Sequence, residues 1–231
     1  MSAHPLDRPV WRSLHTGWAA FAEGGDDALR IRPDHNVFAA ARDRSDESQR
    51  ALAALVDPGR ELWVVERTLW PAPPGTRVAR TAAIVQMLLD GDPSGDMPVP
   101  AGLRLVDLCE ADAPEMHALA EATRPGPFVA HTNRLGSFVG LRDADRLVAM
   151  AGERMALPGY REVSAVCTRP EYRGKGLAAL LIGIVCARMA ARGERAFLTS
   201  YADNAGAIAL YERLGFRIRA DMTVTILQRA I

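Results

Sequence analysis

The stretch VCTRPEYRGKGLAALLI at residues 166–182 places two glycines between an apolar segment and a long apolar run. A strand that ends in a glycine-rich turn and continues as a helix leaves backbone N–H groups unpaired, next to the positive end of the helix dipole. Gly174 and Gly176 let the backbone approach a ligand without an intervening Cβ, and Arg173 and Lys175 add positive charge. The stretch therefore predicts a phosphate-binding site.

Two common phosphate-binding patterns do not fit this stretch. The P-loop pattern GxxxxGK[ST] is absent from the sequence. Gly174, Gly176 and Ala179 do spell the dinucleotide-binding pattern G-x-G-x-x-A, but TRPEYR separates them from the strand that they should follow directly. The acid expected about 20 residues further on would be Glu194, which precedes the next predicted strand instead of ending it. The context therefore argues against a dinucleotide site.

A third pattern fits the loop and its surroundings. Arg173, Gly176 and Ala178 form R-x-x-G-x-A after the strand EVSAVCTRP, which resembles the pyrophosphate-binding motif [QR]-x-x-G-x-[GA] of the GNAT superfamily of N-acetyltransferases. A second segment, NAGAIALYERLGF at 204–216, is similar to the family pattern N-x-x-A-x-x-L-Y-x-x-x-G-F. The resemblance covers roughly residues 100–231, and GERM, VCT and LYERLGF together resemble the FR47-like branch of the superfamily.

The resemblance implies acetyl-CoA as the donor and a primary amine as the acceptor, with direct transfer in a ternary complex. The strand before the loop would bind the pantetheine arm, and the N–H of Val166 would polarise the thioester oxygen. The pyrophosphate would lie on the N–H groups of residues 173–178, and Asn204 would bind the pantetheine arm or cap its helix. The residues assigned to CoA in this way are Val166, Cys167, Thr168, Arg173, Gly174, Lys175, Gly176, Leu177, Ala178 and Asn204.

Three side chains are candidates for proton transfer. Expulsion of a thiolate benefits from a proton donor near the sulfur, and Tyr211 is the candidate acid, with a packed aromatic ring as its purely structural interpretation. The amine must lose a proton before it attacks, and Glu162 is the preferred base because strand alternation places it on one face with Val166 and Thr168. Glu153 competes for this role. For both glutamates a solvated charge at a strand edge is the alternative.

Cys167 and the histidines offer weaker chemistry. Strand alternation buries Cys167 with Val163 and Ala165, and a nucleophilic Cys167 would imply a ping-pong acyl-enzyme. All five histidines lie at or before residue 131, so no histidine near in sequence supports that role. Because the histidines lack HExxH spacing and the three cysteines lack CxxC, we predict no metal site and free thiols in a reducing compartment.

The elements that position these residues predict an α+β protein. Residues 177–192 have helical length and end at Gly193, a shorter helix covers 205–214, and strands precede and follow both. Together with the resemblance, the pattern predicts a GNAT fold, with a mixed, mostly antiparallel sheet flanked by helices. The segment DGDPSGDMPVPAG at 90–102 marks a boundary between an N-terminal α/β lobe at 1–98, of unknown role, and the acetyltransferase domain at 99–231.

The N-terminal lobe carries fewer signals. SDESQRALAALVDPG at 45–59 is typical of a capped helix and ELWVVERTL at 61–69 of a strand, whereas 81–89 fits either state. A degenerate second copy of the GNAT fold is one hypothesis for this lobe. It requires a sheet packed on the helix near 46–56.

Composition limits the function classes. The 28 basic and 28 acidic side chains balance, so we expect no nucleic-acid partner, and the longest apolar run is too short for a membrane span. We expect a cytoplasmic protein whose acceptor substrate is a small-molecule or peptide amine. The sequence leaves the oligomeric state open and is compatible with a homodimer. The functional alternatives are a non-catalytic sensor that binds acyl-CoA and a nicotinamide-dependent oxidoreductase.

Overall fold

The computed structural model describes residues 4–91 and 97–230. The α-helices of these residues are α1 (Pro9–Leu14), α2 (Asp46–Ala54), α3 (Ala113–Thr123), α4 (Leu177–Ala191) and α5 (Ala205–Arg213). The strands are β1 (Ala22–Gly25), β2 (Ala28–Ile31), β3 (Phe38–Ala41), β4 (Leu62–Glu66), β5 (Thr76–Leu89), β6 (Leu103–Leu108), β7 (Phe138–Asp143), β8 (Arg146–Leu157), β9 (Tyr160–Thr168), β10 (Arg195–Tyr201) and β11 (Phe216–Arg229).

These strands form one sheet in the order β1-β2-β3-β4-β11-β5-β10-β9-β8-β7-β6. The β3–β4 and β9–β10 pairs are parallel, and the other neighbours are antiparallel. The prediction of a mixed, mostly antiparallel sheet flanked by helices is therefore confirmed. The segment 81–89, which fitted either state, belongs to strand β5.

The same strand–helix–strand unit occurs twice in the chain. In the N-terminal half, helix α2 connects β3 to β4, and the two strands form a short parallel pair, with Phe38 opposite Trp63 and Ala39 opposite Val64. In the C-terminal half, helix α4 connects β9 to β10, and these strands form a similarly short parallel pair, with residues 160–162 opposite 195–197. Helix α2 packs on the sheet through Leu52, and Val56 just after the helix joins the same core, as the hypothesis of a second copy requires.

The two halves of the chain exchange strands. Strand β5, which precedes the Pro- and Gly-rich break, lies between β10 and β11 and pairs with both. Strand β11, from the end of the chain, in turn pairs with β4. Residues on both sides of the break at 90–102 therefore build a continuous sheet, and residues 92–96 of that break lie outside the described part of the chain.

Helices cover both faces of the sheet. Helices α4 and α5 pack on one face, which we call the α4 face, through a core that includes Leu181, Val185 and Phe216. Helices α1 and α3 pack on the opposite face, the α3 face, through two cores that include Trp18 and Met116. No helix within residues 4–91 and 97–230 has the length and apolar character needed to cross a bilayer.

Candidate functional site

The glycine loop opens α4 as a bare helix N-terminus. Gly174 has φ 77° and Gly176, the N-cap residue, has φ 75°, a backbone region that strains any residue with a Cβ. No side chain of the described residues caps this helix, although the first N–H groups of an α-helix have no acceptor within it. Several donors and the positive end of the dipole of a 15-residue helix therefore converge on one point, where an anion would bind.

Neighbouring side chains hold the loop against β7 and β8. The Nε of Arg169 donates to the backbone oxygen of Leu147 at 2.8 Å. The hydroxyl of Tyr172 donates to Asp143 at 2.6 Å. The Lys175 ammonium lies 4.8 Å from the centre of the Tyr172 ring, outside the cleft lining. These contacts give the loop a defined position before any ligand binds.

The equivalent helix of the N-terminal half lacks these properties. The hydroxyl of Ser45 accepts from the N–H of Ser48 at 3.3 Å and so caps α2. Asp46 and Glu47 occupy the first turn, where their charge already interacts with the helix dipole. The sequence 43–48 therefore repels a diphosphate, and the anion site belongs to α4 alone of these two helices.

Strand β9 separates from β10 beside the loop. Its pairing with β10 stops at Glu162, and Ala165 and Val166 have no partner on β8, because a β-bulge with φ 51° at Ala165 interrupts the ladder. The backbone groups at Val166 are thus free to pair with an extended ligand. The hydroxyl of Thr168 is buried and has no hydrogen-bond partner in the described residues, as expected where a ligand supplies one.

The bulge also changes which residues share a face. Val163 and Val166 pack toward α4, whereas Ala165 and Cys167 pack toward α3. Glu162 precedes Val163 and therefore lies on the α3 face. The prediction that Glu162 shares a face with Val166 and Thr168 is wrong, as is the grouping of Val163 with Cys167, because strict alternation does not survive an inserted residue.

One cleft of about 960 Å³ crosses the sheet where β9 and β10 separate. It begins at the glycine loop on the α4 face and ends among residues of β3 and β4 on the α3 face. The predicted site residues that line it are Val166, Thr168, Arg173, Gly174, Gly176, Leu177, Ala178, Asn204 and Tyr211. The side chains of Glu153, Glu162, Cys167 and Lys175 are not part of this lining.

Tyr211 lies in the cleft on α5. The Asn204 side chain accepts from the N–H of Ala207 at 3.2 Å and so caps this helix, which is one of the two roles predicted for it. Burial, followed by the neighbouring Cys167, raises the pKa of the Tyr211 phenol above its ordinary value. The phenol therefore stays protonated at neutral pH, which is the state that a proton donor needs.

Glu162 is buried behind the cleft wall. Its carboxylate accepts from Nε and Nη2 of Arg154, both at 2.8 Å, and is 0% exposed. The hydroxyl of Thr199 donates to the same carboxylate at 3.2 Å. Both Arg154 and Thr199 line the cleft, so Glu162 reaches it only through them.

Glu153 lies on the opposite face, near the C-terminal end of α4. Its carboxylate accepts from Arg192 at 2.8 Å and lies 3.7 Å from Arg161. Because α4 is 15 residues long, about 22 Å separates its two ends. The structure therefore does not bring Glu153 to the glycine loop or to Tyr211.

Cys167 is shielded from the cleft. It is buried under α3, and burial raises the pKa of its thiol to about 11. A thiol in this environment is a poor nucleophile at neutral pH. The second buried thiol, Cys186, has its pKa raised to about 12 by burial, while Cys109 is exposed.

The sequence analysis missed the residues that form the far end of the cleft. Arg154 lies in the GERM segment, which served only as a family marker, and the only signal for it was a second charge next to Glu153 on a strand whose residues 147–157 are otherwise apolar. Phe38 and Trp63 come from β3 and β4, more than 90 residues from Arg154 in the chain, and no local pattern connects them with the loop.

A trio of possible metal ligands lies elsewhere, between the loop before β3 and the segment before β7. Asp34 accepts from the Nδ1 of His35 at 2.6 Å and from that of His131 at 3.0 Å. These contacts lower the pKa of Asp34 to about 2, with the His35 hydrogen bond as the largest cause. The trio connects the two halves of the chain outside the cleft.

Comparison with known proteins agrees with this geometry. The family model described as FR47-like protein matches residues 138–225. A protein from Novosphingobium aromaticivorans, assigned to the GNAT family of acetyltransferases, is 48% identical over 99% of this chain and 100% of its own, with a TM-score of 0.90. Among curated proteins, no sequence matches this chain.

Two more distant structures share the fold. A GCN5-related N-acetyltransferase from Kribbella flavida is 19% identical, with a TM-score of 0.67 over 99% of this chain and 97% of its own. A tandem GNAT protein from the clavulanic acid biosynthesis pathway is 18% identical, with a TM-score of 0.57 over 87% and 73%. The N-terminal lobe resembles a second GNAT-like unit. From the nearly full-length match at 48% identity, the chain belongs to the GNAT family of acetyltransferases.

Proposed function

We propose that this protein is an acetyl-CoA-dependent N-acetyltransferase that transfers the acetyl group directly to a primary amine. The observation that carries the proposal is the single cleft that joins the bare N-terminus of α4, the free edge of β9 and the phenol of Tyr211. Acetyl-CoA supplies an activated acyl thioester when bound. The remaining requirements are to hold it, to admit an amine and to donate a proton, and each has a residue in the cleft.

The N–H groups at residues 174–178 would hold the pyrophosphate, with Arg173 at the rim. The backbone of Val166 and the unpartnered hydroxyl of Thr168 would bind the pantetheine arm. The N–H of Val166 would then point at the thioester oxygen and favour negative charge there. Tyr211 would donate its proton to the departing sulfur.

Deprotonation of the amine involves no carboxylate of the cleft wall. Among the described residues that line the cleft, none is Asp or Glu. We propose that the amine enters in its neutral form, because the Glu162 carboxylate is already engaged by Arg154 and by the Thr199 hydroxyl, 3.2 Å away. Glu162 is therefore a positioning residue that holds Arg154 and Thr199, and Glu153 takes no part.

Direct transfer is supported over a ping-pong mechanism, since Cys167 faces α3 and its pKa is raised to about 11. The test combines a binding and a turnover measurement. CoA at a hundredfold excess over Kd should stabilise the protein by about 2.7 kcal/mol, and acetyl-CoA with an amine panel should release free CoA thiol.

The variant Gly176→Val provides the control for the binding site. A branched side chain at φ 75° would strain the loop and project toward the pyrophosphate, so CoA stabilisation should disappear while the apo fold persists. Stabilisation by CoA without thiol release from any amine would identify a sensor instead of an enzyme. Stabilisation by NAD and not by CoA would refute both.

A further inference from the structure

The far end of the cleft has a chemical character of its own. Strands β3 and β4 of the N-terminal half, the exchanged strands β5 and β11, and β8 close it with apolar side chains, all of them buried. These side chains are Phe38, Trp63, Val65, Ile84, Met155 and Val224. The Phe38 and Trp63 rings meet edge to face at 6.2 Å and form a preformed aromatic corner. This end suits a ligand with an apolar body.

Arg154 is the buried charged group of this wall. Its guanidinium stacks on the Phe38 ring with 4.9 Å between Cζ and the ring centre. It is 7% exposed, and the backbone oxygen of Arg154 accepts from Trp18 Nε1 at 2.9 Å, which fixes the strand at this point. The side chain is therefore held in one orientation before any ligand arrives.

The guanidinium keeps donors that the protein does not use. An arginine side chain has five N–H donors, and Glu162 takes two of them through Nε and Nη2. Nη1 has no hydrogen-bond partner within the described residues. The side chain keeps 9% exposure and lines the cleft, so this nitrogen is open to the molecule that occupies this end.

The charge of the wall excludes one class of acceptor. Polyamines and aminoglycosides carry several ammonium groups, which need acidic partners when they leave water. None of the described residues that line the cleft provides a carboxylate, and Glu162, behind the wall at this end, is already paired with Arg154. An acceptor with one amine, an apolar body and an anionic group meets every feature of this wall.

We infer that the acceptor is a free α-amino acid with a large apolar or aromatic side chain, and that Arg154 binds its carboxylate. The guanidinium edge matches a carboxylate in shape and forms charge-assisted hydrogen bonds with it. Phe38 and Trp63 contact the side chain. The α-amine, one carbon from the carboxylate, then faces the opening between β9 and β10, beyond which Tyr211 lies. This inference rests on the proposed acetyl transfer and names its acceptor.

Three matched amines test the carboxylate. L-phenylalanine, L-phenylalaninamide and 2-phenylethylamine share one ring and differ in the group that would meet Arg154. We expect kcat/KM for L-phenylalanine to exceed that for the other two by about 10- to 100-fold, the usual effect of one charge-assisted hydrogen bond. Equal values, or a preference for 2-phenylethylamine, spermidine or a short peptide, would overturn the inference and leave the proposed acetyl transfer intact.

Two variants locate the effect. Arg154→Lys keeps a cation beside Glu162 but loses the second edge of the guanidinium, so the preference for L-phenylalanine over 2-phenylethylamine should collapse while CoA affinity is retained. Trp63→Leu opens the aromatic corner and should lower kcat/KM for L-phenylalanine more than for L-alanine. If the Arg154→Lys protein folds and its preference for L-phenylalanine is unchanged, the role of Arg154 is refuted. If the Arg154→Lys protein does not fold, the Trp63→Leu variant still tests the pocket.

A binding measurement separates the inference from the proposed function. Saturation-transfer NMR with L-phenylalanine, in the presence of CoA, reports occupation of the cleft without any turnover. Binding without thiol release would support the acceptor site and count against acetyl transfer. Thiol release from other amines with no binding of L-phenylalanine would support acetyl transfer and refute the proposed acceptor.

Discussion

Replacing Tyr211 with phenylalanine removes one hydroxyl and leaves the ring in place. The raised pKa of the phenol comes from burial and from Cys167, with no hydrogen bond among its causes. The ring packs near Phe216, with 6.2 Å between the ring centres, and phenylalanine preserves this contact. The free energy of unfolding should therefore change by no more than about 0.5 kcal/mol.

The rate should respond much more strongly. A positioned general acid contributes about 10²- to 10⁴-fold, which corresponds to about 2.7 to 5.4 kcal/mol of barrier. A thiol, with an ordinary pKa of about 8.5, leaves more easily than an alkoxide and needs less protonation. We therefore expect a loss in kcat near the lower end, about 10²-fold, with little change in the affinity for CoA.

The pH dependence provides a second check on Tyr211. An acid works only while protonated, so its contribution is complete below its raised pKa and is lost as pH rises through that value, above the ordinary 10 of tyrosine. Between pH 6 and 9 the wild-type rate should rise with pH through the pKa of the acceptor amine. The midpoint of that rise should move when acceptors of different amine pKa are compared.

Steady-state release of CoA thiol measures these effects, with the exposed Cys109 giving a constant background. Tyr201→Phe is the matched comparison, because Tyr201 also lines the cleft and is 38% exposed. A Tyr211→Phe enzyme with kcat within twofold of wild type would refute the acid assignment. A loss confined to Tyr201→Phe would transfer the role to that residue.

Three further predictions concern the fold. Gly152→Ala should lower the free energy of unfolding, measured by urea titration, by about 1–3 kcal/mol, because the added Cβ would lie 2.3 Å from the Phe138 ring. Gly25→Ala is the control and should leave stability unchanged, because a Cβ there meets nothing within 4 Å. Iodoacetamide at pH 8 should modify Cys109 alone in the native protein, because burial raises the pKa of the other two thiols to about 11 and about 12; rapid modification of all three would contradict the buried cores. The fragment 99–231 should be insoluble when expressed alone, as it lacks β5 between β10 and β11, and co-expression with 1–98 should restore solubility.

The local parts of this site could be predicted from the chain alone. Gly174 and Gly176 mark the turn because positive φ favours glycine whatever surrounds it, and Gly193 ends α4 for the same reason. The anion site follows from N–H groups within one helical turn, so its signal lies in a few consecutive residues. Ser45 as the cap of α2 is equally local.

The faces of the strands required the folded molecule. Alternation assigned Glu162 to the side of Val166, but the bulge at Ala165 depends on how β8 and β9 pair and separates the two residues. Nothing in the residue types of 160–168 marks where that extra residue is accommodated. A shift of one position reverses every side chain beyond it, so a small error in register becomes a large error in chemistry.

Distance along the chain limited the rest. Sequence patterns report neighbours within a helix turn or a strand, whereas the far end of the cleft brings Phe38 and Trp63 together with Arg154 through a sheet whose strands cross between the halves. The exchange of β5 and β11 depends on hydrogen bonds and buried apolar contacts between residues far apart in the chain. A short stretch of sequence contains no information about such contacts. Local backbone chemistry therefore predicts the anion site at the start of α4, whereas tertiary packing alone decides which side chains lie at the far end of the cleft.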